Sequence, residues 1–271
     1  MEPPHECCFL DSAEAIPSHI RQPTVRILVL VPAYNPGSIV RRTLDALLDV
    51  HPDVWLLVDG STDGSDVGVE ATMEMHPGFR VIRRIENLGK GATVLEGALR
   101  AEREGFTHLL CFDSDGQHPA EMVPEFCRRC RLQPSAMIMG EPLFGKDAPL
   151  ERVYFRKLAN ALCVLWTLGK MRSDSLFGMR IYPLLPLLRA FSQTTCGRGF
   201  DFETEIAVRM VWAGVPVVGI VTPVRYPSPA DGGGSHFRYW RDNLLLFKTH
   251  ARFLLGALLR VLTPGARWQS E

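Results

Sequence analysis

The sequence predicts an α/β domain built on a mostly parallel sheet flanked by helices, with an amphipathic helix at its C-terminal end. Two patterns carry the sheet. Apolar runs suited to burial on both faces recur along the first half of the chain, each stops abruptly in a polar, glycine-bearing loop, and a stretch of helical composition follows most of them. Hydrophobic residues make up 46% of the 271 and charged residues 22%, which is ordinary for a folded chain with a sizeable core. The 30 basic and 30 acidic residues cancel, so no global field favours nucleic acid, and no nucleic-acid partner is expected.

The elements follow in order. Residues 1–24 carry Pro3, Pro4, Glu2, Glu6 and Asp11 without the basic start and apolar stretch of a signal peptide, and read as a flexible N-terminal tail. Val25 to Val31 is a buried strand ending in Pro32-Ala33-Tyr34-Asn35-Pro36-Gly37, and Ile39 to Leu48 has a helical apolar stripe. Val54 to Val58 is a second strand, running into Asp59-Gly60-Ser61-Thr62-Asp63-Gly64-Ser65, which could cap a helix. Arg80 to Arg84 is a third, followed by Asn87-Leu88-Gly89-Lys90-Gly91 and a helical stretch from Ala92 to Arg103. Glycines around a lysine before a helix can cradle an anion, because helix amino termini offer free N–H groups. Thr107 to Phe112 is the fourth strand and delivers Asp113-Ser114-Asp115-Gly116-Gln117-His118-Pro119.

Asp, Ser and Gly after a strand are also common turn chemistry. Their position argues for more. Right-handed crossovers place the loops after successive parallel strands on one sheet edge, where ligands bind. Tyr34, Asn35, Asp59, Lys90, Asp113 and Asp115 therefore face one crevice. Residues two apart in extended chain point the same way, so Asp113 and Asp115 can converge, and a divalent cation would resolve their repulsion with Gln117 adding a neutral oxygen.

A helix reaching Arg131 and a strand from Ala136 to Gly140 come next. Arg152 to Met171 is helical and very apolar, and its Phe155, Leu158, Leu162, Leu165, Trp166 and Leu168 read as core rather than as an acceptor-side surface. Ser173 to Tyr182 is a loop turning into a strand that carries Arg180, by itself an ordinary surface residue. Phe200 to Glu205 opens a helix on which Asp201 and Glu205 share a face, where they either serve chemistry or oppose the helix dipole. Pro216 to Tyr226 is strand-like, and the glycine-rich 228–235 is placed to act as a lid. From His236 to Leu262, Phe237, Trp240, Leu244, Phe247, Ala251, Leu254, Leu258 and Val261 form one stripe, with Arg238, Arg241, Lys248, Arg252 and Arg260 against Asp242 alone. Such a helix can lie on an anionic membrane surface. The domain thus spans 25–235, and 236–271 form the basic helix and tail. No apolar run reaches the roughly 20 residues needed to span a bilayer. Seven cysteines without regular spacing argue for a reducing compartment, and Cys127 and Cys130 lack a second pair that would make a zinc site.

These motifs resemble glycosyltransferase family 2, the inverting nucleotide-sugar transferases of the GT-A fold, and in particular its dolichyl-phosphate-mannose synthase and polyprenyl-phosphate glycosyltransferase branch. The resemblance extends from about Val25 to Arg238 and rests on Val31-Pro32-Ala33-Tyr34-Asn35, on 59–64, on 87–91 and on the Asp-x-Asp-x-Gln stretch. It implies that Pro32, Tyr34, Asn35 and Asp59 touch base and ribose, that Lys90 and Gly91 belong to the donor site, and that Asp113 and Asp115 meet the diphosphate. Asp113, Asp115 and Gln117 would hold Mg²⁺ or Mn²⁺. Arg180 would join the catalytic groups, and Ser235, His236 and Arg238 would form an acceptor phosphate loop. The chain departs from the family pattern at Val58, usually acidic, at Met179, usually phenylalanine, and at His236, usually lysine.

The implied reaction moves a sugar from a nucleotide-sugar donor to a lipid-linked acceptor, with the protein cytoplasmic and peripheral on the inner membrane face. A hydroxyl acceptor, on a non-phosphate lipid or a glycan, would need Asp201 or Glu205 as general base, whereas an ionised lipid phosphate needs none. A nucleotidyltransferase would be expected to carry a Gly-rich first loop with a basic residue where this chain has Pro-Ala-Tyr-Asn, and the intact Asp113, Asp115 and Gln117 argue against a non-catalytic nucleotide-sugar binding module.

Overall fold

The computed structural model describes residues 24–144, 150–194, 201–225 and 248–254. Their centre is a seven-stranded sheet: β1 (Ile27–Ala33), β2 (Val54–Asp59), β3 (Phe79–Arg84), β4 (His108–Cys111), β5 (Met137–Leu143), β6 (Arg180–Pro183) and β7 (Val217–Pro223). The order is β3-β2-β1-β4-β6-β5-β7, parallel except for β6, which runs against both β4 and β5. Alternation along each strand splits the core in two. Leu28, Leu30, Trp55 and Leu57 face α3 (Lys90–Arg103), α5 (Leu150–Trp166), α6 (Leu184–Ser192) and α7 (Phe202–Trp212). Val29, Val31, Leu56 and Val58 face α1 (Ile39–Leu48) and α4 (Val123–Leu132) on the other side. A short helix, α2 (Glu70–Met75), precedes β3.

The chain leaves β1 in one direction for β2 and β3, then returns through α3 to place β4 on the other side of β1. The crevice between the ends of β1 and β4 is therefore a topological switch point, where open α/β sheets bind ligands. Close helix-sheet approach sets its depth. A side chain at Gly97 of α3 would come within 2.5 Å of Leu30, so only glycine lets the helix sit this near β1.

Two expectations change. Leu168 and Gly169 take positive φ (51° and 78°), and Gly169 N–H donates to the Val164 carbonyl, so α5 is capped before the expected Met171. The apolar residues of that segment are also not all core. Cys163, Trp166 and Met171 join the sheet-facing cluster, but Tyr154 is 71% exposed and Leu168 78%, with Phe155, Leu158 and Leu165 also exposed. The segment is apolar around most of its circumference, and one stripe suffices to pack it.

Candidate active site

β1 ends in a loop that Asn35 ties to the next one. Asn35 sits at positive φ (46°), its N–H donates to Ser61 Oγ at 2.9 Å, and its Oδ1 accepts from Thr62 N–H at 2.7 Å. Gly37 N–H donates to Asp63 Oδ2. Pro32 is buried beneath this lip and Tyr34 stands exposed on it. Asp59 lies between the second loop and the third. It is buried, and its carboxylate accepts from Leu88 N–H (3.0 Å), Gly89 N–H (2.7 Å) and Arg84 (3.0 Å). It fastens the second loop to the third, and Arg84, itself paired with Glu96, completes the clasp.

That clasp sets the start of α3. Gly89, at φ 91°, turns the chain so that Lys90 begins the helix and extends toward the end of β4. There Lys90 Nζ lies 2.5 Å from Asp113 Oδ1 and 2.5 Å from Glu203 Oε1. Burial opposes the lysine's charge, but the two carboxylates overcome it and hold its pKa above the usual lysine range. Burial alone would raise Asp113; instead Lys90 and His118, whose Nε2 is 3.2 Å from Asp113 Oδ2, keep that carboxyl far below the usual range. Gly178 backs onto the same carboxylate: a Cβ there would fall 2.4 Å from Oδ2. Asp115 is pushed the other way, first by burial and then by the Asp113 charge, and its Oδ1 accepts from Gln117 N–H at 3.0 Å. Two carboxylates thus crowd one strand end with opposite protonation tendencies, a pairing that a hard cation can relieve.

The Glycosyl transferase family 2 profile matches residues 28–179, more than half of the chain. The chain belongs to glycosyltransferase family 2. Polyprenol monophosphomannose synthase of Mycolicibacterium smegmatis is 26% identical over 210 residues, covering 75% of this chain and 78% of that protein. Undecaprenyl-phosphate mannosyltransferase of Micrococcus luteus is 24% identical over 201 residues, 72% of this chain and 82% of that one. Glucosyl-3-phosphoglycerate synthase of Mycobacterium tuberculosis, solved with Mn²⁺, UDP and glucosyl-3-phosphoglycerate, superposes with a TM-score of 0.59 at 17% identity, over 86% of this chain and 80% of its own. The protein is a glycosyltransferase, and its fold is GT-A.

In this glycosyltransferase the remaining sequence candidates fall apart. Arg180 is not a surface residue. It is fully buried on β6 beside Cys111, and its guanidinium donates to the carbonyls of Phe177 (2.7 Å), Glu203 (2.9 Å) and Asp174 (3.3 Å). It supports the site through the backbone it holds. Asp201 and Glu205 are both buried at the start of α7 and lie roughly 160° around the helix from Glu203 at 100° per residue. Glu205 pairs with Arg209 at 2.8 Å, and Thr249 Oγ1 approaches Asp201 Oδ2 at 3.5 Å. Of the three acids in that turn, the one that meets Asp113's partner is Glu203, which sequence reading left without a role. Three acids beside one unmatched lysine in the donor loops were the available signal. His118, Arg84 and Gly178 were likewise given no role. Ser235, His236 and Arg238, the expected lid 228–235 and most of the expected C-terminal helix lie outside the described residues. Within 248–254, which is helical, Thr249, His250 and Phe253 are buried, Trp166 Nε1 donates to His250 Nδ1, and Leu254 of the expected stripe is exposed with Lys248 and Arg252. Among the described residues no helix is long and apolar enough to cross a membrane.

Proposed function

We propose that the protein is a divalent-metal-dependent, inverting transferase that moves a sugar from a nucleotide-sugar donor to a polyprenyl-phosphate acceptor at the cytosolic membrane face. The observation that carries the donor half is the convergence of Asp113, Asp115 and Lys90 at the β1/β4 switch point. Among the described residues no three acidic, histidine or cysteine side chains form a complete metal cage. That suits Mg²⁺ or Mn²⁺, which one or two carboxylates hold while substrate phosphates complete the shell. Asp113, Asp115 and Gln117 would hold the ion, which when bound stabilises negative charge on the departing nucleoside diphosphate. Tyr34 and Asn35 line the base side, Lys90 offers a second cation to the phosphates, and the Asp59 clasp keeps Lys90 and Gly91 in place.

Two features support a lipid phosphate acceptor. Asp201 and Glu205, the acids available as a base, are buried and face away from the Asp113 side, and an already ionised phosphate needs neither. On α5, Tyr154, Leu158 and Leu165 leave an exposed apolar face, with exposed Leu168 just past its end and exposed Lys157, Lys170 and Arg172 close by in the chain. A face of this kind fits the interface of an anionic bilayer. Of the two relatives, one is by its name an undecaprenyl-phosphate mannosyltransferase and the other a polyprenol monophosphomannose synthase.

Incubation with GDP-mannose and a panel of UDP-sugars, polyprenyl phosphate and Mn²⁺ tests the reading. One donor should give acceptor-dependent nucleoside diphosphate release that chelator abolishes, with Asp201→Asn and Glu205→Gln each losing far less than the about 10²- to 10⁴-fold of a required base. The protein should sediment with anionic vesicles, and Leu158→Gln with Leu165→Gln should weaken that. Release with a glycan acceptor alone, or no sedimentation at low salt, would refute the lipid acceptor.

A further inference from the structure

Lys90 is held by two carboxylates that come from distant parts of the chain. Asp113 follows β4, whereas Glu203 lies in the first turn of α7, 113 residues beyond Lys90. Both are fixed by one scaffold. Arg180, next to Cys111 across the β4/β6 ladder, donates to the Glu203 carbonyl, and the loop it organises through Phe177 and Asp174 carries Gly178 against Asp113. The separation of the two acids is therefore set by backbone. Glu203 is 4% exposed, and nothing about packing alone requires a charge there.

The arrangement matters because Asp113 has two claimants under the function proposed above, on which this inference rests: the lysine and a divalent cation. If Asp113 alone held Lys90, a cation arriving between Asp113 and Asp115 would compete for the same carboxylate, and either the cation would bind weakly or the ammonium would be expelled. A second carboxylate on the lysine removes that conflict. We propose that Glu203 is a positioning residue that retains Lys90 at the edge of the site when Asp113 turns to the metal, so that the lysine stays available to the donor diphosphate. The chemistry served is recognition of a nucleoside diphosphate by a metal and a lysine together, with the acid of α7 acting only through that lysine.

The sign of one substitution separates this role from simple electrostatics. Removing a negative charge near an anion site should tighten diphosphate binding, whereas losing the tether should weaken it. With full-length protein, UDP and GDP binding would be measured by calorimetry in Mn²⁺. The nucleotide that binds the wild type should bind Glu203→Gln about 10- to 100-fold more weakly, the range for a residue that orients a ligand-binding group. Lys90→Gln should be weakened as well, and Lys90→Gln with Glu203→Gln should be no weaker than Lys90→Gln alone. Melting curves identify folded variants, and Glu203→Asp, which keeps the charge on a shorter arm, serves if the amide variant does not fold; it too should bind more weakly. Unchanged or tighter binding by a folded Glu203 variant, or an undiminished Glu203→Gln effect in the Lys90→Gln background, overturns the tether while leaving the transferase reading standing. A folded wild type that binds neither UDP nor GDP overturns both.

Discussion

The two ends of β4 are only a few residues apart and solve the burial of polar groups in opposite ways. At the amino end His108 Nε2 meets the Pro134 carbonyl at 2.7 Å and Nδ1 the Thr107 hydroxyl at 2.8 Å, so a neutral ring satisfies neutral partners. Burial keeps its pKa below the ordinary value. At the carboxyl end, Asp113, Asp115, Lys90 and Glu203 concentrate charge where burial penalises it, and Asp115 is left at odds with Asp113. Hydrogen bonds that are complete in themselves hold a fold; charges that oppose one another are kept for a ligand. The amino end is built for stability and the carboxyl end for binding.

Four outcomes would break or sharpen that contrast. The largest belongs to Asp115→Asn. Loss of several kcal/mol of transition-state stabilisation lowers turnover by about three orders of magnitude. Because the folded state disfavours this carboxylate's charge, the same change should raise the melting temperature of the ligand-free protein near neutral pH. A loss of both activity and stability would mean that the acid pair is structural. Gly178→Ala comes next: its Cβ meets Asp113 Oδ2 at 2.4 Å, so the carboxylate must move. A displacement of about 1 Å in a positioned group costs on the order of 10² in rate, read as kcat at saturating Mn²⁺, with only a modest shift in melting temperature.

His108→Ala should do the reverse. It removes the donor to the Pro134 carbonyl and costs about 0.5 to 1.5 kcal/mol in urea unfolding, while turnover per folded molecule stays at the wild-type level. The smallest effect is in pH. A buried histidine whose folded pKa lies below its ordinary 6.5 contributes stability in full above that value, and the contribution is lost as pH falls through and below it, because the unfolded chain takes up the proton first. His108→Gln should flatten the fall of melting temperature on the acid side of 6.5. The His250 ring, also lowered by burial, accounts for part of what remains. An unaltered slope would show that His108 is not the group that titrates.

The sequence alone determined the strands and the edge they share. Ile27–Val31, Val54–Val58 and Leu109–Phe112 are apolar without alternation, as suits a sheet covered on both faces. Their loops then had to lie on one edge, which placed Tyr34, Asn35, Lys90, Asp113 and Asp115 together before any coordinates. Loop motifs read in this way because they act through consecutive backbone and short-range geometry. The antiparallel entry of β6, the early stop of α5 and its uncovered face were not legible, since each depends on which of several apolar stripes wins a neighbour. The same holds for charge. The sequence did not show that Asp59 clasps two loops together, that Arg180 is a buried strut, or that Glu203, which it left without a role, is a partner of Lys90. Charge partners lie across the fold, here 113 residues apart, and Coulomb interaction depends on distance in space and local burial, neither of which is written in the order of residues.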